Sequence, residues 1–185
     1  LKPFKPENII LEKNYKEILK GIDTFVFDVD GVFTDSTLII TTEGEMLRKM
    51  SVKDGYALKS ALQKGYRVCI ISGGTNEGVR NRLKALGVTD IYLGAHHKMD
   101  ALEEYMDIYE IAPETMLYMG DDIPDIPPME TVALPTCPQN AVPEVKAISK
   151  YVSHKNGGEG CVRDVIEQVL KVRGDWMGNF NAAND

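Results

Sequence analysis

The sequence predicts an α/β fold, a three-layer and mostly parallel sheet with helices on both faces. Three observations lead there. Short apolar runs of strand length alternate with amphipathic segments of helix length. The runs ending at Phe27, Ser72 and Met119 each pass into small, hydroxyl or acidic residues, as strands do when they carry polar groups to the C-terminal edge of such a sheet. The 185 residues, 43% of them hydrophobic, can bury one good core and give no sign of a second.

Taken in order, residues 12–20 predict a short helix and 24–29 the first central strand. Residues 37–40 and 46–52 flank Thr42-Glu43-Gly44, whose turn chemistry predicts a β-hairpin projecting from that strand. Asp54 reads as the cap of a helix through residue 64, with Leu58 and Leu62 on one face and Gly65 as its stop. A second central strand over 67–72 precedes a helix over 76–86, which Gly87 ends. A strand over 91–93, a helix over 100–109 and a strand over 116–119 come next, the last running into Gly120-Asp121-Asp122. Short strands over 132–134 and 151–153 lead to a helix over 162–172. This alternation implies right-handed crossovers. The expected division is an N-terminal extension over 1–21, one domain over 22–172 and a tail over 173–185, loosely ordered or dependent on a partner.

Composition limits the partners. A formal net charge of −7 and a pI near 5.1, with no Lys/Arg-rich run, argue against nucleic acid. Cys69, Cys137 and Cys161 are odd in number and scattered, so they read as reduced thiols of a cytoplasmic protein. His96, His97 and His154 show no metal-ligand spacing and read as surface or loop residues. No apolar stretch approaches bilayer length, and Lys2, Pro3, Lys5 and Pro6 interrupt any signal-peptide core, so no membrane partner and no secretion are expected.

The chemistry concentrates in Asp28-Val29-Asp30-Gly31-Val32-Phe33-Thr34-Asp35, directly after the run Phe25-Val26-Phe27. An acidic strand-end turn is the bland account of this octet. Two carboxylates side by side at a buried strand end are nevertheless costly unless a cation compensates them. A phosphate dianion near one carboxylate meets roughly 8 kcal/mol of repulsion at about 4 Å and an effective dielectric of ~20. Cations are therefore required. Oxygen ligands without imidazole or thiolate select a hard ion such as Mg2+, and Lys98 can supply a further positive charge. Ser72 and the backbone at Gly73 can donate hydrogen bonds to phosphoryl oxygens. Singly, Ser72, Lys98 and the glycine pair have ordinary structural explanations. The ordered set Asp-x-Asp, Ser, Lys, Gly-Asp-Asp-x-x-Asp does not.

At these residues the chain resembles the haloacid dehalogenase superfamily, whose four motifs match Asp28 to Asp30, Ser72, Lys98 and Gly120 to Asp125. The resemblance implies a Rossmann-like domain in which Asp28 is the nucleophile that forms an aspartyl phosphate. It makes Asp30 the acid that protonates the leaving oxygen and then activates water. It has Ser72 and Lys98 bind the phosphoryl group, and Asp28, the Asp30 carbonyl and Asp121 hold magnesium. Asp122 and Asp125 support these, Asp125 by orienting Lys98.

The branch of the superfamily is indicated by the lack of room for a cap. A hairpin, a helix and a strand fill the interval from Asp30 to Ser72, and a helix and a strand fill that from Lys98 to Asp121, so no cap domain fits. The hairpin, Val52-Lys53-Asp54-Gly55-Tyr56 and Gly157-Gly158-Glu159-Gly160-Cys161-Val162-Arg163 resemble the capless branch of 3-deoxy-D-manno-octulosonate 8-phosphate (KDO 8-phosphate) phosphatases. That resemblance implies hydrolysis of a small anionic sugar phosphate in lipopolysaccharide precursor synthesis, by a cytoplasmic homotetramer whose subunits complete one another's sites. The hairpin and the glycine loop before Arg163 are the elements expected to reach a neighbour. Ser51, Val52, Lys53, Asp54, Gly55, Lys59 and Arg82 match sugar-acid contacts, alongside Asp30, Gly73 and Lys98 at the phosphoryl end. Lys53 and Lys59 stand where arginine is frequent, and Gly74 stands where arginine usually follows the Ser/Thr-Gly pair. Phosphatases of nine-carbon sialic-acid-type 9-phosphates are the nearest alternative, and Val52 to Tyr56 favours the eight-carbon sugar. A phospho-receiver-like regulatory domain is an alternative of another class, against which the second acid, Asp30, argues for turnover.

Overall fold

The computed structural model describes residues 14–176. Residues 1–13 and 177–185, with most of the expected extension and tail, lie outside the described residues.

Helix α1 (Tyr15–Ile18) starts where Asn14 Oδ1 accepts the Lys16 N–H, and it tightens into a 3-10 turn over Leu19–Gly21. Strand β1 (Thr24–Phe27) is buried throughout. It stops two residues before the expected end, since Val29 C=O takes the N–H groups of Val32, Phe33 and Thr34 and turns the chain. Strands β2 (Ile39–Ile40) and β3 (Met46–Leu47) form the hairpin as an antiparallel pair, both shorter than expected. Residue 52 belongs instead to helix α2 (Val52–Gln63), whose cap is Ser51 and not Asp54: Ser51 Oγ accepts the Lys53 N–H at 3.2 Å.

Strand β4 (Arg67–Ser72) has the expected bounds, and α3 (Glu77–Ala85) lies between its capping residues Asn76 and Leu86. Strand β5 (Asp90–Leu93) precedes α4 (Lys98–Tyr109), which opens two residues earlier than expected, and β6 (Met116–Met119) matches its expected span. Two short helices were not legible, α5 (Ile126–Thr131) and α6 (Pro143–Ile148). Both carry proline in the first turn, where a missing N–H costs nothing, but in a sequence those prolines read as breakers. Strand β7 (Leu134–Cys137) lies beyond the expected 132–134 because Pro135 masks it, and β8 (Tyr151–Val152) is one residue short. Helix α7 (Cys161–Arg173) ends at Gly174 with φ +76°, a left-handed closure that glycine adopts without strain.

Among the described residues one sheet runs β5-β4-β1-β6-β7-β8, and every pairing in it is parallel. The side-chain period of two divides the core. Phe25 and Phe27 pack with Leu58, Ala61, Ile166 and Val169 of α2 and α7, whereas Val26 faces Leu102, Tyr105 and Val145 of α4 and α6. Full burial of one such side chain contributes about 1.5–3 kcal/mol. Cys69, Cys137 and Cys161 are buried free thiols within these layers. No helix among the described residues is long and apolar enough to cross a membrane.

The strand order places the functional crevice. β1 lies between β4 and β6, with Phe27 level with Ile70 on one side and Met119 on the other. The loops after β1 and its neighbours therefore open into one crevice at a topological switch point.

Candidate active site

That crevice is a cleft of about 410 Å³ whose lining includes Asp28, Asp30, Ser72, Lys98, Asp121 and Asp125. Gly73 and Asp122 line it as well. The expected phosphoryl-end residues thus meet from four separate loops.

Asp28 leaves β1 with its N–H on Met119 C=O at 3.1 Å and its Oδ1 accepting the Val29 N–H at 2.6 Å. Its other oxygen is 2.9 Å from Lys98 Nζ. Lys98 occupies the first turn of α4, where the helix dipole disfavours a cation, so its place depends on the carboxylates it meets. The second is Asp125, 2.7 Å from Nζ. Burial works against the ammonium, yet Asp28 and Asp125 outweigh it and raise the Lys98 pKa above the ordinary lysine value. Burial, then the Asp125 charge, raises the Asp28 pKa, and Lys98 opposes both.

Asp125 is fully enclosed. Its Oδ1 accepts from Tyr118 OH at 2.9 Å as well as from Lys98, and its Oδ2 accepts the Asp121 N–H at 3.2 Å. Asp122 caps the 3-10 turn Ile123–Asp125 in a reciprocal box with Asp125. Gly120 is needed here, because a Cβ would run into the Asp125 carboxylate. Asp121 accepts from Ser36 Oγ through Oδ2 at 3.3 Å, while its Oδ1 is buried with no partner. Burial, followed by the Asp125 charge, pushes Asp121 up to about 7. Gly31, at φ +91°, faces this carboxylate, and a Cβ there would collide with it.

Among the described residues, Asp28, Asp121 and Asp125 form a group with one ligand atom each within 4.8 Å of the others. An orphaned, buried carboxylate oxygen in an all-oxygen set fits a hard divalent cation. The third ligand of the expected set is the Asp30 backbone carbonyl, which lies outside this group of side-chain atoms. The Asp125 oxygens are already occupied by Lys98, Tyr118 and backbone N–H groups, and those of Asp28 by the Val29 N–H and Lys98, so of the three only Asp121 keeps a buried oxygen without a partner.

The Asp30 carboxylate is held elsewhere, by Arg48 at the foot of the hairpin, with Nε to Oδ1 at 2.7 Å and Nη2 to Oδ2 at 3.0 Å. Sequence reasoning missed Arg48, Ser36 and Tyr118. No local pattern marks Arg48, since only the fold of the hairpin over the cleft brings it to Asp30. Ser36 sits at φ 64°, a strained backbone that no sequence signal announces.

The expected sugar-acid residues do not join this cleft. Lys53 lines a second cleft with His154, Arg163 and Lys171, and Arg82 lines a groove with Leu47, Arg48 and Met50. Ser51 caps α2 and Val52 is exposed. Asp54 is a correction: it is buried, and its Oδ1 accepts the Arg163 N–H at 2.8 Å at the start of α7. It thus satisfies another helix's N-terminus and cannot reach a substrate from there. Gly55 is buried too, close under Arg82, whose Nη2 would lie 3.0 Å from a Cβ at that position. The glycine loop, expected to reach a neighbour, also makes contacts within its own chain. It packs on its own subunit's acidic loop, with the Gly158 N–H on Val32 C=O at 2.9 Å and Gly157 against the Gly31 carbonyl. Lacking side chains, Gly157 and Gly158 admit this backbone contact.

Residues 86–166 match the family model described as haloacid dehalogenase-like hydrolase. The chain is 36% identical over 155 residues to the 3-deoxy-D-manno-octulosonate 8-phosphate phosphatase KdsC of Salmonella typhi, covering 84% of this chain and 82% of that protein. The solved structure of the corresponding phosphatase from Yersinia pestis superposes with a TM-score of 0.87 at 30% identity, over 90% of each chain. That from Moraxella catarrhalis, solved with a magnesium ion, a phosphate ion and a KDO molecule, gives a TM-score of 0.82 at 32% identity over 85% of this chain and 90% of that one.

Proposed function

The chain belongs to the 3-deoxy-D-manno-octulosonate 8-phosphate phosphatases among the haloacid dehalogenase-like hydrolases, and we propose on that premise how its own residues divide the work. It is a phosphoric monoester hydrolase that releases phosphate from KDO 8-phosphate. The observation that carries this is the buried Asp28–Lys98–Asp125 chain beside the orphaned Asp121 oxygen. The regulatory-domain alternative has no support among relatives that are named phosphatases, nor has the nine-carbon substrate among relatives named for the eight-carbon one.

In our reading a carboxylate oxygen of Asp28 attacks phosphorus and the bond to the sugar oxygen breaks. A proton from Asp30 goes to the departing alkoxide. Water then attacks the phosphorus of the aspartyl phosphate, Asp30 takes a proton from it, and the bond to Asp28 breaks. Lys98, Ser72 and the Gly73 backbone bind the phosphoryl oxygens, and Asp125 fixes Lys98 from behind. Asp122 closes the turn that carries Asp125. Asp28, the Asp30 carbonyl and Asp121 would hold Mg2+, which when bound offsets negative charge on the phosphoryl group.

We read residues 22–172 as the phosphatase domain and the assembly as a homotetramer of the cytoplasm. Support for assembly comes from the hairpin, where Ile39 is 64% and Ile40 70% exposed, more apolar surface than a two-stranded arm gains by facing water. The separation of Ser51, Val52, Lys53 and Arg82 from the cleft supports their serving a neighbour's site, as we also propose for Lys59. Three buried free thiols suit a reducing compartment.

Phosphate release from KDO 8-phosphate, a nine-carbon 9-phosphate and simple sugar phosphates, each with and without magnesium, tests the assignment. The eight-carbon ester should give the highest kcat/KM, and only with the metal. A higher value for the nine-carbon ester would replace the substrate.

A further inference from the structure

Arg48 has no part in the chemistry described so far, yet it grips the acid–base residue. It follows β3, its side chain is only 8% exposed, and its guanidinium holds both oxygens of Asp30 while Nη1 donates to Met46 C=O at 3.0 Å. The same carbonyl accepts Asn76 Nδ2 at 3.1 Å, and Asn76 Oδ1 caps α3 through the Val79 N–H. The hairpin foot is thereby tied to a helix start, and the fork is held at a fixed place above the cleft.

The backbone at Gly74 makes room for it. A Cβ at Gly74 would lie 3.3 Å from Arg48 Nη2 and 3.3 Å from Asp30 Oδ2, tighter than ordinary packing contacts. A Cβ there would press on both groups at once, so that one or both must give by a few tenths of an ångström. The sequence departure at Gly74 and the arginine on the hairpin are two halves of one arrangement.

A planar fork on both carboxylate oxygens matches the ionised acid, since a proton on either oxygen would oppose an N–H donor. That is the state Asp30 needs when it accepts a proton from water, not the state in which it donates to the leaving alkoxide. Resting on the phosphatase reading above, we propose that Arg48 is a positioning residue for Asp30, aiming and holding it as the base of phosphoenzyme hydrolysis, with Gly74 as the gap that admits it.

The test uses p-nitrophenyl phosphate, whose leaving group needs no proton, so that the second half-reaction is isolated. Arg48→Ala should show a burst of nitrophenolate approaching one per active site, then a steady kcat lowered roughly 10-fold or more with KM lowered in step, so that kcat/KM is nearly unchanged. Arg48→Lys, a charge without the fork, should fall between the two. Gly74→Ala should slow the native protein yet add nothing in the Arg48→Ala background, because both act through one pair. A native kcat without a burst in Arg48→Ala overturns the proposal. So does a fall in kcat and Tm together with no burst, or an additive Gly74→Ala. A preference for another sugar phosphate would change the substrate and leave Arg48 where it is, whereas a native protein inert to every phosphate monoester would remove the phosphatase reading and this inference with it.

Discussion

Lys98 Nζ stands 2.9 Å from Asp28 Oδ2, a buried contact between the first turn of α4 and the residue that leaves β1. It is the positive charge that allows Asp28 and Asp125 to lie close together away from water. Replacing it by an uncharged side chain of similar length leaves two buried carboxylates uncompensated, at about 3–5 kcal/mol for a broken buried pair. Lys98→Met should therefore lose activity and melt well below the native protein. The depression should be larger at pH 8 than at pH 5, where the acids can protonate, and calorimetry at the two pH values checks this.

Asp28→Asn separates chemistry from folding. The amide keeps the shape of the carboxylate but cannot form the acyl phosphate, so turnover should fall by roughly 1,000-fold or more. Stability should hold or improve, because burial already works against the charge at this position. Near-native turnover in Asp28→Asn would falsify the nucleophile assignment.

The pH dependence has a definite sign. Asp121 is raised to about 7 and Asp54 to about 6 from an ordinary 3.8, both mainly by burial, and Asp28 moves the same way. The folded chain therefore binds more protons than the unfolded chain across this window. The associated stability is complete below about pH 4 and is lost as pH rises through 6 to 7. Metal-free protein should thus melt lower at pH 8 than at pH 5. Magnesium requires deprotonated ligands, so its stabilisation should grow over the same range, reaching about 2.7 kcal/mol where its concentration is 100 times its Kd. Melting curves with chelator and with saturating magnesium decide it, and a metal-free Tm that climbs from pH 5 to pH 8 is the contrary result.

The hairpin is the element expected to hold the assembly together. Ile39 and Ile40 are exposed on a two-stranded arm whose partner strand presents Met46 and Leu47, themselves exposed. Placing charges there with Ile39→Glu and Ile40→Glu should leave the fold intact and give a smaller species than the proposed tetramer in light scattering. Hydrolysis of KDO 8-phosphate should drop far more than hydrolysis of a small aryl phosphate, which needs little recognition of its leaving group. An unchanged mass would remove the hairpin from the interface.

Much of this protein was determined locally. The apolar run ending at Asp28, the bounds of β4 and β6, and the order of Asp28, Ser72, Lys98 and Asp121 to Asp125 were legible, because strand period and strand-end chemistry are properties of neighbouring residues. Helices α5 and α6 were hidden by prolines that stop a helix in its interior but start one in its first turn. Asp54 was recognisable as a capping acid, yet which helix it caps was not: Ser51 already serves α2, and Asp54 reaches Arg163 only because α2 packs on α7. Arg48 on Asp30 is the same kind of fact, produced by the hairpin folding over the crevice and by the missing side chain at Gly74. Periodicity and capping are settled by residues a few positions apart and so are written in the chain. The pairing of distant charges depends on which surfaces meet once apolar faces are buried, and only the tertiary structure decides that.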